Sequence, residues 1–507
     1  MLSAFGMTAA ALRRPYFLDY DPEYAYLLNS LNLLELSVPG HFDHPGTPLQ
    51  EFGALAVLLQ WLLGGAGPAG LAESVLRDPE RYLAGINIAL NLLVGTSAWF
   101  AARMIWLQTG RLGVALLVPL SLPCLLQTAI SLGRVTPEPM LVAAALLVFA
   151  LALPASTDAA KQPGWRDAPT ATRLFGAALG AGIATKVTFV PMLAAIWLLP
   201  RGNRRAACAW SAIAFLAAIV PVLPFAPRMA GWFASLALNR GHLASGDVGI
   251  PDPSRLADNL SGFLAGEPAL FIAMALLAAC VLVSRRLPQW RIGGASATTW
   301  SGVALAVSLL QLGISLKHGA PRYLVAATVF DALVLVALAA SAPWGSLRRG
   351  PLAAALAAMV MAGSATAALA AYGRWQAAYG ADADARAKML ASAGSRTDCL
   401  LVHYSGSGSP EHALAFGNDY ARRKFAARLG TLYTDATFYD IWQREFHGYD
   451  RTDRLGMVIG RIAGGGCVLM HGMPLRGQHA GYVKGMDLEV LAEDGPVALY
   501  RLHGFTR

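Results

Sequence analysis

The chain has 507 residues, of which 55% are hydrophobic and only 14% are charged, and its mean hydropathy is +0.47. Soluble globular proteins carry about 25% charged residues, so this composition excludes that class and predicts a membrane protein. The net charge of +9 does not indicate a nucleic-acid partner, because the basic residues lie in short clusters between apolar segments, as orientation in a lipid bilayer requires.

The first polar feature along the chain is the acidic cluster Asp19-Tyr-Asp-Pro-Glu23. Carboxylates are costly near hydrocarbon, so a cluster of them beside membrane segments predicts a functional site. Asp19 and Asp21 also fit a simpler interpretation as caps of the next helix, because Asp-Pro is a common helix opening.

A helix is predicted from Tyr24 to Glu35. Apolar residues at helical spacing face one way and polar residues the other, namely Leu27, Leu28, Leu31 and Leu34 against Asn29, Ser30 and Asn32. This pattern is typical of a helix that lies flat at a membrane surface. His41 and His44 follow on either side of Asp43, and we expect them to form hydrogen bonds rather than bind zinc.

Several further segments are apolar and close to the length of about 20 residues that crosses a membrane. They lie at residues 83–106, 111–131, 136–154, 206–225, 268–284, 297–316, 321–341 and 350–372. Two more apolar segments are ambiguous, since 47–63 is short for a span and 172–200 is long for one helix.

The basic clusters predict the topology, because cytoplasmic loops are rich in Lys and Arg. We place in the cytoplasm the clusters Arg103/Arg111, Arg201–Arg205, Arg285–Arg291 and Arg348/Arg349. The acidic cluster and everything after residue 373 then lie outside, and 47–63 lies along the outer interface. Residues 172–200 enter and leave from the cytoplasm as a broken hairpin with its tip near Thr185 and Lys186. The alternative is that both ambiguous segments cross the membrane.

From about Trp375 the sequence is mixed and charged, which predicts a small α/β domain outside the membrane. Predicted strands are Cys399–Tyr404, Thr437–Trp442, Cys467–Met470 and Val497–Tyr500, and a helix is predicted from Glu411 to Leu429. The loop from Ser405 to Pro410 either cradles a phosphate or is a flexible turn between strand and helix. Cys399 and Cys467 can pair if the compartment is oxidising, and the sequence leaves this open.

The predicted fold is therefore an all-α polytopic membrane protein with a C-terminal soluble α/β domain. Residues 1–373 form the transmembrane domain, whose first outer loop, 16–82, carries interfacial helices. Residues 374–507 form the extracytoplasmic domain.

Four motifs, in this order, resemble the GT-C superfamily of membrane glycosyltransferases, nearest to its protein O-mannosyltransferase and lipid A aminoarabinose transferase branches. They are the acidic cluster with His44-Pro-Gly-Thr-Pro-Leu49, Ser131-Leu-Gly-Arg-Val-Thr-Pro-Glu-Pro-Met140, Gly180-Ala-Gly-Ile-Ala-Thr-Lys186, and Lys317-His-Gly-Ala-Pro-Arg-Tyr-Leu324. The resemblance covers about the first 370 residues, and the terminal domain corresponds only in position. It implies a GT-C-like helical bundle.

Two departures from the family pattern matter. The family has a transmembrane helix before the acidic cluster, whereas Met1–Leu12 is too short to span. We expect that the sequence begins late and a first helix is missing; the alternative is that this branch lost it. In addition, Pro22 separates Asp21 from Glu23, where the family often has adjacent acids, which leaves the catalytic assignment between those two.

The resemblance implies inverting transfer of a sugar from a polyprenyl-phosphate donor to a lipid, glycan or protein acceptor at the outer face of the plasma membrane. Such a reaction needs a base for the acceptor hydroxyl and cations for the leaving phosphate. We expect Asp21 to be the base, Glu23 to be second choice, and Glu138 to help orient the acceptor. The predicted substrate-binding residues are His44, Arg134, Lys186, Lys317, His318, Arg322 and Tyr323. No metal is predicted and a divalent cation is not indicated.

Each of these residues also has an ordinary structural interpretation. Glu138 could serve only the helix dipole, Lys186 could extend to the membrane surface, and Arg322 with Tyr323 could anchor a helix at the interface. A transporter or flippase of a lipid-linked saccharide is the rival function. Transporters often have broken helices in both halves, and the sequence suggests only the break at Lys186.

Overall fold

Apolar segments cross a bilayer as helices when their backbone polar groups find partners within the segment. The computed structural model describes residues 15–42, 46–64, 70–156, 168–241, 245–287, 289–341, 380–396 and 398–506, together with residues 366, 370, 373 and 377. Within these residues five helical segments are long and apolar enough to cross a membrane: Pro79–Thr109, Glu138–Ala155, Arg201–Leu238, Ala297–Ser315 and Pro321–Ser341. The prediction of a polytopic helical protein is confirmed. His44 and all of the predicted span 350–372 except residues 366 and 370 lie outside the described residues.

The α-helices are numbered in chain order. They are α1 Glu23–Leu34, α2 Thr47–Leu63, α3 Leu71–Arg77, α4 Pro79–Thr109, α5 Leu112–Ala115, α6 Leu117–Ser121, α7 Leu126–Leu132, α8 Glu138–Ala155, α9 Ala168–Thr185, α10 Arg201–Ile219, α11 Ala226–Leu238, α12 Pro253–Gly266, α13 Pro268–Ser284, α14 Ala297–Ser315, α15 Val325–Ser341, α16 at 380–394, α17 Pro410–Tyr420, α18 Ala426–Leu432 and α19 Leu455–Ala463. Short 3₁₀ segments lie at Tyr16–Asp19, Leu122–Cys124, Val187–Leu198, Val220–Phe225, Pro321–Leu324 and Gly477–Val483.

The chain divides into two compact units. The first is built mainly from Asn87–Tyr372 together with Phe42–Leu49. The second combines Gly373–Arg507 with Arg13–His41 and Gln50–Ile86. The terminal domain and the segment that carries the acidic cluster thus belong to one unit, while the domain division at residues 373 and 374 stays a prediction.

Helix α8 lies at the centre of the first unit. It is buried along almost its whole length, and its sequence beyond Glu138 carries no charged residue. Phe149 on this helix lies with its ring centroid 5.5 Å from that of Trp300 and 6.3 Å from that of Phe330. Helices α9 and α10 approach closely, since a Cβ at Gly176 or Gly180 would collide with the α10 backbone, as small residues permit in membrane helix pairs.

Breaks in three apolar segments shape the first unit. The predicted break near Thr185 and Lys186 is present: α9 ends at Thr185 and a 3₁₀ segment follows Lys186. Two breaks were not predicted. Segment 112–132 bends by 74° at Leu125, and α12 and α13 meet at Glu267 with an angle of 88°.

The second unit contains a six-stranded sheet in the order β5-β4-β3-β6-β8-β7. A separate two-stranded hairpin, β1 Arg291–Ile292 and β2 Ala295–Ser296, precedes α14. The sheet strands are β3 Cys399–His403, β4 Thr437–Asp440, β5 Glu445–His447, β6 Cys467–Gly472, β7 Met486–Asp494 and β8 Val497–Phe505. Strand β3 is parallel to both neighbours, β4 and β6, and the other pairs are antiparallel. The predicted α/β character of the terminal domain is confirmed.

The register of β3 and β6 sets two pairs of side chains against each other. Cys399 lies opposite Cys467 at one end, and His403 lies opposite His471 at the other. The two cysteines form a disulfide, which settles the pairing that the sequence left open.

The single predicted helix from Glu411 to Leu429 is wrong, because the chain forms α17 and α18 with a turn between them. Arg422 and Arg423 adopt the left-handed conformation, with φ of 61° and 57°. The side-chain oxygen of Asn418 accepts a hydrogen bond from the Phe425 backbone N–H at 3.0 Å. This bond ends α17, since it replaces a helical partner with a side-chain partner.

The loop after β3 is a turn into α17. Its Gly406 and Gly408 have φ of 81° and 57°. Ser409 caps α17 by accepting a hydrogen bond from the His412 N–H at 3.2 Å. Because this N–H already has a partner within the chain, the loop fits the turn interpretation better than a phosphate cradle.

Candidate functional site

Helix breaks place two charged side chains inside the first unit. Helix α8 begins at Glu138 between Pro137 and Pro139, and proline suits the first turn of a helix. Lys186 is extended, and its Nζ lies 2.7 Å from Oε1 of Glu138. Only 6% and 5% of the two side chains are exposed. The Thr136 hydroxyl donates a further hydrogen bond to Glu138, so the carboxylate is held from two sides.

Two further cations lie around this ion pair. The ring of Tyr323 has its centroid 4.7 Å from Nζ of Lys186 and 5.9 Å from Cζ of Arg322. Arg322 interacts electrostatically with both Glu138 and Arg134. We call these five residues the basic cluster. The cluster contains three cations, those of Arg134, Lys186 and Arg322, and one carboxylate, and its guanidinium groups suit a phosphate.

Gln311 joins the two segments that carry this cluster. It is fully buried in α14, and its Nε2 donates to the carbonyl oxygens of Thr188 at 2.7 Å and Tyr323 at 2.5 Å. Thr188 follows Lys186 by two residues, and Tyr323 follows Arg322. Sequence reasoning missed Gln311, because one polar residue in an apolar span carries no local signal for its partners.

The other predicted phosphate ligands are placed differently. The Lys317 ammonium donates to the carbonyl oxygens of Leu236, at 2.6 Å, and Ala237, at 3.4 Å, at the end of α11. The His318 ring lies edge-on to Tyr323, with 6.5 Å between ring centroids. Lys317 thus has a helix-capping partner, while His318 borders the basic cluster.

The acidic cluster belongs to the second unit, between the 3₁₀ segment Tyr16–Asp19 and α1. Asp21 is exposed, whereas Glu23, the first residue of α1, is only 1% exposed. The predicted helix after it is confirmed, but its predicted interfacial character is wrong. Both faces of α1 are covered by protein, including Leu27 and Asn29. Of the carboxylates of Asp21 and Glu23, that of Asp21 is therefore the accessible one.

Among the described residues, no three His, Cys, Asp or Glu side chains come close enough to hold a metal ion. In the first unit, the basic cluster brings one lysine and two arginines together. Their chemistry is that of an anion site formed by nitrogen donors.

No protein-family model and no curated protein matches this chain. Two crystal structures of ArnT from Cupriavidus metallidurans are similar to it. The one bound to undecaprenyl phosphate matches 98% of this chain and 97% of that chain, with a TM-score of 0.52 and 14% sequence identity. The apo structure matches 94% of this chain and 93% of that one, with a TM-score of 0.49 and 15% identity.

ArnT is a lipid A aminoarabinose transferase with the GT-C fold. The first of the two structures establishes the same fold for the present chain. The fold that the four sequence motifs predict is thereby confirmed.

Proposed function

We propose that this protein is a membrane glycosyltransferase that moves a sugar from a polyprenyl-phosphate donor to an acceptor hydroxyl. The observation that carries the proposal is the basic cluster. Lys186 is buried against the single carboxylate of Glu138, whereas Arg134 is half-buried and Arg322 is exposed. The guanidinium groups beside this ion pair are hydrogen-bond donors of the kind that bind a phosphate. The fold supports this choice, because ArnT with the same fold was crystallised with undecaprenyl phosphate.

Lys186, Arg322 and Arg134 would bind the phosphate that leaves the sugar. Negative charge grows on that phosphate as the glycosidic bond breaks, so fixed donors around it stabilise the transition state. Arg can contact phosphate through two parallel hydrogen bonds, while Lys acts as a point charge.

Asp21 would take the proton of the acceptor hydroxyl as it attacks the anomeric carbon, which inverts the configuration. Glu23 is the second candidate, although its burial disfavours direct contact with an acceptor. Glu138 is bound to Lys186 and Thr136. Its role is therefore to position the lysine and, next to it, the acceptor, rather than to accept the proton.

We place the reaction at the outer face of the plasma membrane, with the terminal domain outside. The distribution of basic clusters along the sequence supports this orientation. The Cys399–Cys467 disulfide supports it independently, since disulfides persist in oxidising compartments.

A flippase for a lipid-linked saccharide is the second candidate, and one observation favours it. The breaks at Leu125 and Glu267 meet, because the Gln127 backbone N–H donates to Oε2 of Glu267 at 3.3 Å and its side chain donates to the Gly266 carbonyl at 3.2 Å. Broken helices that meet within a bundle are typical of transporters.

The test uses the full chain in liposomes made from lipid extracts of bacterial membranes, which supply both the undecaprenyl-phosphate-linked sugars and the acceptor hydroxyls of lipids and glycolipids. We expect the wild-type protein to consume donor and release undecaprenyl phosphate, as followed by mass spectrometry of the lipids. Donor that crosses the liposome membrane without being consumed would favour the flippase instead.

A further inference from the structure

Residues before and after Asp21 form hydrogen bonds with a single carboxylate, that of Glu80 at the start of α4. Glu80 accepts hydrogen bonds from the backbone N–H groups of Tyr16 at 2.8 Å and Phe17 at 3.0 Å. It also accepts one from the Tyr24 hydroxyl at 2.8 Å. The chain before Asp21 and the chain after it thus share one anchor, and a charged acceptor makes these bonds stronger than neutral ones.

Helix α17 of the terminal domain packs directly against the same segment. The ring of Tyr20, beside Asp21, has its centroid 5.1 Å from that of His412 and 4.9 Å from that of Phe416. The backbone of α17 approaches α1 so closely that a Cβ at Gly417 would lie 2.6 Å from the Tyr24 carbonyl oxygen. We call Glu80, His412, Phe416 and Gly417 the seat of the acidic cluster.

Helix α1 supplies hydrogen-bond donors to the carbonyl groups at the C-terminal end of α17. The last carbonyls of a helix have no partner within it. Asn29 donates to the Tyr420 carbonyl at 3.3 Å, and Asn32 donates to the Ala421 carbonyl at 3.2 Å. The Asn29 side-chain oxygen accepts the Gly40 N–H at 2.6 Å. A surface helix needs no such partners, so these asparagines specify one position of α1 on α17.

An ion pair fixes the other end of α1. Glu35 follows its last residue and lies 2.9 Å from Nζ of Lys424, with Arg428 as a second partner. Partial burial alone would raise the pKa of Glu35, but hydrogen bonds from Arg428 and Lys424 bring it below its usual value. The helix that starts at the acidic cluster is therefore attached to the terminal domain along its length.

We propose that the terminal domain and Glu80 are positioning elements of the active site, which hold Asp21 where it can take the acceptor proton. This inference rests on the proposed function. The terminal domain then affects the rate of catalysis although it does not contact the substrate. A defined kinetic signature is also expected, because the donor phosphate is assigned to the basic cluster in the other unit. Loss of the seat lowers kcat and leaves the KM for donor nearly unchanged.

Gly417→Ala is the sharpest variant, with Gly430→Ala as its matched control. Alanine is the better helix former at both positions, but a Cβ at Gly430 in α18 meets nothing within 4 Å. We expect Gly417→Ala to make amide hydrogen exchange across residues 16–34 about 10-fold faster in the detergent-solubilised full chain. It lowers kcat about 10-fold or more, because small displacements of reacting groups are costly. Gly430→Ala changes neither.

Glu80→Gln tests the same idea without added volume. The amide has one acceptor oxygen and presents an NH₂ group to a backbone donor, so exchange at residues 16–34 again rises and kcat falls. The inference is overturned if Gly417→Ala and Glu80→Gln leave exchange unchanged, or if exchange rises while kcat stays at the wild-type value. If the wild-type protein transfers no sugar, the proposed function fails. Amide hydrogen exchange alone then shows whether the seat stabilises residues 16–34.

Discussion

Asp21 and Glu23 are two residues apart in sequence but differ in accessibility, and this difference separates their predicted roles. Asp21 is exposed and Glu23 is buried. Asp21→Asn keeps the volume of the side chain but removes its basicity. We expect transfer to fall by about 10²-fold or more while donor still binds. Transfer from the lipid-linked donor in membranes, corrected for protein level, measures this.

Glu23→Gln is the internal comparison, and we expect it to retain most of the activity, because a buried first-turn carboxylate acts mainly on its own helix. The opposite ranking would move the base to Glu23. If both variants keep wild-type transfer, the acidic cluster is structural and the proposed enzyme loses its base.

Arg322 and Lys317 share one sequence motif, yet they have different partners. Arg322 belongs to the basic cluster, whereas Lys317 caps α11. Arg322→Ala removes a charge-assisted phosphate contact worth about 1.5–3 kcal/mol, so we expect kcat/KM for donor to fall by about 10-fold to 100-fold. Lys317→Ala affects donor use less. Equal losses in the two variants would contradict the phosphate role assigned from the cluster.

The sequence contains enough to propose Glu138, Lys186 and Arg322, because Glu138 and Arg322 lie at the starts of apolar segments and Lys186 interrupts one. It does not reveal that Glu138 and Lys186 form an ion pair, since 47 residues separate them. The sequence does not reveal the role of Glu80 either. Glu80 follows Pro79 at the start of a long helix, where an acidic residue is expected for the helix dipole alone.

At the scale of elements, the basic cluster depends on two 3₁₀ segments, Val187–Leu198 after Lys186 and Pro321–Leu324 before α15. Gln311 joins them through its Nε2. Gln311→Leu leaves two buried carbonyls without this donor, at about 1–3 kcal/mol for each. We expect a lower melting temperature in detergent and a KM for donor about 10-fold higher. Leu309→Ala on the exposed side of the same helix is the control. An unchanged donor KM in Gln311→Leu would show that the cluster needs no such link.

Helices and strands were predictable from the sequence where a single local property determines the structure. Apolar length gave the spans, and the alternation of side chains gave β3, β4, β6 and β8 in part. The interfacial assignment of α1 failed because an apolar helix face looks the same in sequence whether lipid or protein covers it. The bend at Glu267 was missed because the following Pro268 is equally compatible with an ordinary helix start.

At the scale of the whole molecule, the terminal domain carries a group of buried histidines that makes its stability depend on pH. Burial, followed by the nearby Arg386 charge, lowers the pKa of His471 to about 4, and burial lowers that of His412 to about 4. The pKa of His403 is also well below its usual value because of burial. Each histidine is neutral when folded and protonates in the unfolded chain near pH 6.5.

The stabilising contribution is therefore complete above about pH 6.5 and is lost as pH falls towards 4, by up to about 1.4 kcal/mol per pH unit for each histidine. Thermal unfolding of the detergent-solubilised protein between pH 7.5 and 4.5 measures it. Neither ring nitrogen of His471 has a hydrogen-bond partner among the described residues. His471→Leu should accordingly flatten the pH dependence, whereas the exposed His503→Gln should not. If the melting temperatures of wild type and His471→Leu fall equally with pH, the buried His471 is not a source of the pH dependence.

The orientation of the whole chain is the broadest prediction, and it rests on the placement of every basic cluster on one side. Periplasm-active reporters fused after residues 70, 240 and 380 should be active, and fusions after 108, 160, 203 and 288 should be inactive. The fusion after residue 70 is the decisive one. The acidic cluster and the terminal domain belong to one compact unit, so the chain must return to the same side of the membrane between them. A reporter that is inactive at 70 and active at 108 would separate Asp21 from that side, and the proposed transfer at the outer face would fail with it.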